Sequence, residues 1–263
     1  MRKADGMRSG RMTRRLLLAA IALTACTSST PASEPSRTEE VLVSAAASLS
    51  DVFTELSHEF EATHPTVDVV LNLAGSATLR EQVLAGAPVD VLASADAAAV
   101  APVVAAGLVE TLHPFATNRL VVAVPPGNPA EVGALADLSD DGLLVGLCAE
   151  GVPCGDLARR VLARAGVAAS VDTEVPDVRA LVTLLALGEL DVGLVYATDV
   201  TAVQGAVEAV AVDDLPEGAQ ATTTYVLADL LDAPNATGAV AFVDFVRSEV
   251  GRAVLDRHGF GRP

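Results

Sequence analysis

Four short stretches of this chain put hydroxyls and helix-starting residues where an apolar run gives way to a helical pattern. They are SAAASLSD (44–51), NLAGSATLRE (72–81), GVPCGDLA (151–158) and EVPDVRALV (174–182). The first offers Ser48 and Ser50, and the second Gly75, Ser76 and Thr78. The third sets Pro153 and Gly155 around Cys154, and the fourth opens a helix with Asp177. Hydroxyls and unpaired backbone N–H groups at a helix N-terminus, where the dipole is positive, suit the binding of an anion. Each turn also has a purely structural reading, because serine ahead of a helix is commonly its N-cap and proline its first residue. Four such turns in one chain, two in each half, point toward an anion.

The elements that must hold these turns alternate. EVLVSAA (40–46), VDVVLNL (67–73), VDVLAS (89–94), NRLVVAVPP (118–126), GLLVGLC (142–148) and LDVGLVY (190–196) read as strands. Helices are predicted over about 49–62, 78–84, 97–106, 155–165 and 177–188. In the first of these, Leu49, Val52, Phe53, Leu56 and Phe60 recur on one face. Strand and helix in alternation predict an α/β fold with a mostly parallel, covered sheet, and the two blocks predict two lobes. Ligands of such folds sit beyond the carboxyl ends of strands, where the four turns lie.

Arg14 and Arg15 precede LLLAAIALTA, ten apolar residues that are too few to span a bilayer but suit a secretory signal. The run ends in Leu23-Thr24-Ala25-Cys26, which looks like a lipobox with Cys26 as the lipid-bearing residue; a soluble secreted chain cut after Ala25 is the other reading. The following SSTPASEPSRTEE is expected to be a disordered tether. Outside the membrane disulfides persist, and Cys148 and Cys154 remain as a pair. Closing so short a loop contributes on the order of 2 kcal/mol, so the bridge serves more to fix one loop than to stabilise the fold. The spacing is not that of a redox C-x-x-C, and His58, His64, His113 and His258 lack metal-ligand spacing.

Composition restricts the partners. Without residues 1–25, which hold six basic residues and one acidic residue, the chain keeps 11 basic and 33 acidic residues, a formal charge of −22, and no lysine. Nucleic acid, which needs Lys and Arg against its phosphates, is excluded as a partner. A hydrolase is disfavoured, because there is no G-x-S-x-G and no histidine in any of the four turns. Arg179 could reach an anion from its helix start, but it is expected to pair with a nearby acid.

In order along the chain, AAASLSDVF, AGSATLREQVLAGAPVDVLASAD, VPCGDLA, PDVRALV and DVGLVYATD resemble the substrate-binding proteins of molybdate ABC transporters. The resemblance runs from about residue 41 to the closing GFGRP. It implies a periplasmic-binding-protein type II fold, two α/β lobes joined by two crossover strands with the ligand cleft between them. The implied lobes are 39–121 plus 226–263 and 122–225, after a signal peptide (1–25) and a tether (26–38), with NRLVVAVPP and ATTTYVLA as the crossover strands. The implied ligand contacts are the hydroxyls and amides of Ser48 and Ser76, the backbone N–H groups of Cys154 and Val178, and the Tyr196 hydroxyl. Cys154 departs from the small residue usual there, and a bridge to Cys148 would hold its N–H toward the cleft. The function implied is capture of molybdate, and of tungstate, by a monomeric, lipid-anchored protein on the outer face of the cytoplasmic membrane. It would deliver the ion to a permease and its ATPase, with no cofactor, no catalysis and no directly bound metal ion. Carriage of sulfate or another tetrahedral oxyanion is the alternative, and a sensor or adhesion domain on the same fold is disfavoured by the presence of both serines and Tyr196.

Overall fold

Runs of Ala, Val and Leu long enough to be covered on both faces set the frame of the molecule. The computed structural model describes residues 39–212 and 221–263; the signal segment, the tether and Cys26 lie outside the described residues. The chain begins with β1 (Glu39–Ala46), a 3-10 turn (Ala47–Leu49), α1 (Ser50–Thr63), β2 (Val67–Ala74), α2 (Ser76–Leu84), β3 (Val91–Ser94) and α3 (Ala97–Ala105). It then runs through β4 (His113–Val124) to β5 (Val145–Cys148), α4 (Pro153–Ala165), β6 (Val171–Val175), α5 (Val178–Ala186), β7 (Val192–Tyr196), α6 (Ala197–Ala202) and β8 (Glu208–Val210). It returns through β9 (Thr222–Asp229) and ends in α7 (Ala236–Arg247) and α8 (Glu249–Arg257).

The strands follow the order β2-β1-β3-β9-β4-β7-β5-β6, with β8 also paired to β4. β1 is parallel to β2 and β3, and β5 is parallel to β6 and β7. The mostly parallel sheet expected from alternation holds only in these outer parts. In the middle, β9 and β4 run antiparallel to each other and to their neighbours β3, β7 and β8. The reason is connectivity: the chain leaves one half through β4 and returns through β9, so the two crossing strands lie side by side in opposite directions. β4 is shared, with its first part on β9 and Leu120–Ala123 on β7. It starts five residues ahead of the predicted Asn118, because HPFAT pairs with β9 despite an irregularity between Pro114 and Ala116 that no apolar alternation announces. β6 and β8 also escaped the sequence pattern; both are largely exposed, β6 carries Asp172, Thr173 and Glu174, and β8 is only three residues long.

The two halves have different cores. The six phenylalanines all belong to the half containing β1, either buried or packed against it, with Phe60 and Phe242 edge to face at 5.3 Å. The other half is aliphatic, filled by residues such as Leu147, Leu157, Val161, Leu181 and Leu194. The two tyrosines sit where the cores meet, Tyr225 in the first and Tyr196 in the second, their ring centroids 6.0 Å apart.

Two carboxylates lie in this apolar interior in opposite circumstances. Asp90 is fully buried and accepts from the Leu42 N–H at 2.7 Å and the Asn235 N–H at 2.6 Å, tying β3 to β1 and to the start of α7. Asp199 on α6 is just as buried, but its Oδ2 has no hydrogen-bond partner among the described residues, and Arg179 Nε stands 3.8 Å from Oδ1. Burial pushes its pKa up to about 7, against the opposing pull of Arg179 and the Tyr196 backbone.

Asp90→Ala should strand two buried N–H groups and cost on the order of 3 kcal/mol, read as a lowered midpoint in urea unfolding. Asp199 has the reverse signature. The folded state keeps a proton that the unfolded chain releases near its ordinary pKa of 3.8, so stability should fall as pH rises through the range between that value and about 7. Asp199→Asn should flatten this fall, seen in melts from mildly acidic to neutral pH.

Candidate functional site

The four turns singled out in the sequence converge at the junction of the two halves. A cleft of about 10 Å³ is lined by Ser48, Gly75, Ser76, Cys154, Asp177, Val178 and Tyr196, together with Ala46, Ala47, Ala95, Val152 and Pro153. This is below the roughly 300 to 1,000 Å³ of sites for drug-sized ligands. All five residues expected to contact a ligand, Ser48, Ser76, Cys154, Val178 and Tyr196, are on its wall and are buried.

Each is positioned by a local device. Ser48 sits in the 3-10 turn after β1, and Ser76 is the first residue of α2. Neither hydroxyl caps its helix, which removes the commonest structural role for such serines. The Ser48 hydroxyl lies 2.8 Å from the Tyr225 hydroxyl, and Ser76 Oγ accepts from the Ala95 N–H at 3.1 Å. Helix α2 starts two residues earlier than predicted, at Ser76, so Ser76 carries one of the four amides that an α-helix leaves without internal partners.

Cys154 is the second residue of α4, behind Pro153, and is bonded to Cys148 at the end of β5 with their Cα atoms 5.8 Å apart. Gly155 lets the helix start press onto that strand end, since a Cβ there would fall 2.2 Å from the Ala149 carbonyl oxygen. Val178 is the first residue of α5, and Asp177 caps that helix by accepting from the Ala180 N–H at 2.9 Å. Gly75 is required by close approach: a Cβ would lie 2.5 Å from the Pro176 carbonyl oxygen, so the turn before α2 touches the turn before α5 across the cleft.

Tyr196 ends β7 and is almost fully buried, yet its hydroxyl has no hydrogen-bond partner among the described residues. Burial pushes the pKa of both Tyr196 and Tyr225 up, so both hydroxyls keep their protons and act as donors. Arg179 does not serve the cleft as a free cation. Its guanidinium pairs with Asp51 of α1 and lies near Asp199, so it joins a helix of one half to a helix of the other. Among the described residues, no group of three or more His, Cys, Asp or Glu could hold a metal ion. Apart from the Asp177 carboxylate, which caps α5, what the wall offers is hydrogen-bond donors on a helix-dipole background.

The sequence reading missed the polar groups behind this wall: Asn118 of β4, Tyr225 of β9 and Thr198 of α6, all buried. Asn118 Nδ2 donates to Thr198 Oγ1 at 2.8 Å and to the Tyr225 hydroxyl at 3.4 Å. A signal existed, since Asn118 and Tyr225 are polar residues in the two segments assigned as crossing strands.

Residues 41–261 match the family of bacterial extracellular solute-binding proteins. The chain is 37% identical over 247 residues to the molybdate-binding protein ModA of Mycobacterium bovis, covering 92% of this chain and 93% of that protein. Its fold is similar to that of the periplasmic molybdate-binding protein of Azotobacter vinelandii, with a TM-score of 0.72, 18% identity, and coverage of 85% of this chain and 99% of that one. The sulfate-binding protein SubI of Mycobacterium tuberculosis is similar as well, with a TM-score of 0.71, 18% identity, and coverage of 84% and 86%. The arrangement is that of the periplasmic-binding-protein folds, two α/β halves on two crossing strands with the cleft between them, and the chain belongs to the bacterial extracellular solute-binding protein family.

Proposed function

We propose that this protein captures molybdate, and tungstate, outside the cytoplasm and hands the ion to the permease and ATPase of an ABC importer. The observation that carries this reading is the donor-lined cleft, in which a buried tyrosine hydroxyl has no partner among the described residues. The relative at 37% identity, described as a molybdate-binding protein, supports it independently. A dianion entering such a cleft loses hydration worth many kcal/mol. The hydroxyls of Ser48, Ser76 and Tyr196 and the amides of Cys154 and Val178 offset that loss, at about 1.5 to 3 kcal/mol for each hydrogen bond to a charged group.

In this reading residues 39–121 with 226–263 form one lobe and 122–225 the other, in keeping with the separate aromatic and aliphatic cores. β4 and β9 act as the hinge, and the pairing of Arg179 with Asp51 latches the closed state. The protein is a monomer held to the membrane through Cys26. It is not an enzyme and uses no cofactor. Sulfate is the second ligand to weigh, because a solved neighbour of similar fold is described as sulfate-binding.

With the Asp177 carboxylate engaged in capping α5, the remaining donors reject an anion that keeps a proton, since its O–H would face another donor. Calorimetric titration at neutral pH should therefore show tight molybdate and tungstate binding, weaker sulfate binding and poor phosphate binding. Equal sulfate and molybdate affinities would reassign the protein as a sulfate carrier, and no binding at all would overturn the transport role. Cys148→Ser should weaken molybdate binding and lower the melting temperature; a variant that binds and melts like wild type would remove the bridge from the site's design.

A further inference from the structure

The polar residues behind the cleft form a chain whose hydrogen-bond directions can be assigned from one end to the other. It starts at a backbone donor, which cannot reverse: the Arg119 N–H donates to Asn118 Oδ1 at 2.9 Å. That contact fixes the orientation of the Asn118 amide, so both hydrogens of Nδ2 point away, toward Thr198 Oγ1 at 2.8 Å and the Tyr225 hydroxyl at 3.4 Å. Tyr225 Oη accepts from Asn118 and has one proton of its own. Among the described residues, only the Asn118 amide, which has no acceptor to offer there, and Ser48 Oγ at 2.8 Å stand within hydrogen-bond distance of that hydroxyl. Tyr225 therefore donates to Ser48. The reverse direction would leave the Tyr225 proton buried without an acceptor, since the residue has no solvent exposure.

The consequence falls on the ligand side. Ser48 Oγ accepts from Tyr225, and its own proton is the group still to be satisfied; Ser48 lines the cleft. Ser76 is in the same condition, because its Oγ accepts from the Ala95 N–H. Two hydroxyls that could in isolation either donate or accept are thus set as donors by the Tyr225 hydroxyl and the Ala95 amide.

We propose that Asn118 and Tyr225 are specificity-determining positioning residues, which orient the Ser48 hydroxyl so that the site takes fully deprotonated tetrahedral dianions and refuses anions that carry a proton. The proposal rests on the oxyanion-binding reading above and adds to it the residues that impose the polarity. It also gives a reason for a polar chain at this place. Asn118 and Tyr225 lie on the two crossing strands, and Thr198 lies on the helix that follows Tyr196. The chain therefore runs from the β1 half through both crossing strands to the other half, without a charged group in its path.

The test is a titration of wild type, Tyr225→Phe and Asn118→Asp with molybdate and phosphate in mildly alkaline buffer. There both ions are dianions and only phosphate keeps a proton. Tyr225→Phe removes the donor that holds Ser48 in its orientation. Asn118→Asp replaces the donating amide with an acceptor that draws the Tyr225 proton to itself, so Ser48 turns its own proton to Tyr225. Its added charge repels both dianions alike and cancels in the ratio of the two dissociation constants. That ratio should narrow by about tenfold or more in each variant, the equivalent of one hydrogen bond to a charged group. Asn118→Asp keeps the side-chain shape and gives the reading should Tyr225→Phe fail to fold.

Equal weakening of both anions in a folded variant would overturn the proposal, because a merely structural contact lowers affinity without changing the choice. An unchanged ratio with unchanged affinities would overturn it as well. The wild-type titration tests the underlying reading separately. If sulfate alone binds, the ratio is taken with sulfate and the proposal stands or falls on it; if no oxyanion binds, both readings fall together.

Discussion

A doubly charged ion, the ligand proposed for this cleft, leaves water only for a place where donors already stand in position, and under that proposal this constraint organises the molecule. Donors that had to be gathered on binding would add their ordering entropy to a large desolvation cost. Here they are fixed beforehand. Helix starts press against strand ends through Gly155, a disulfide holds the beginning of α4, and Gly75 allows two turns of opposite halves to touch. None of these features contributes much to global stability, and each controls where an N–H or hydroxyl points.

The crossing strands connect this local order to the rest of the fold. β4 contributes Phe115 and Ala116 to the aromatic core and Leu120–Val124 to the aliphatic one, β9 runs beside it, and the two strands carry the polar chain that ends at Ser48. Crossing strands that are also hydrogen-bonded to a hydroxyl on the cleft wall tie the middle of the sheet to the polar groups of the site. The pairing of Arg179 with Asp51 adds a link near the rim. In a chain whose part beyond residue 25 has no lysine, Arg179, next to the cleft residue Val178, is held by carboxylates.

Buried charge is tolerated here in two ways. Asp90 is fully buried because two backbone N–H groups meet its two oxygens, and it joins three elements. Asp199 lacks that complement and responds by holding its proton toward neutrality. Because Asp199 lies beside Arg179 and three residues after Tyr196, its protonation reaches the neighbourhood of the cleft, while the tyrosines keep their protons throughout.

Periodicity was enough to find most of the strands and helices, because Ala-, Val- and Leu-rich runs covered on both faces have few other ways to bury themselves. Residue types at the four turns, read with the family resemblance, were enough to name Ser48, Ser76, Cys154, Val178 and Tyr196, since helix starts advertise themselves by small, hydroxyl-bearing and proline residues. Polar edge strands such as β6, and the early start of β4, were not legible, because their pairing depends on a neighbour distant in sequence rather than on their own pattern. The direction in which a hydroxyl donates is also invisible in sequence. Asn118, Tyr225 and Ser48 are separated by up to 177 residues, and only their meeting in space decides which oxygen receives and which proton is left for a ligand.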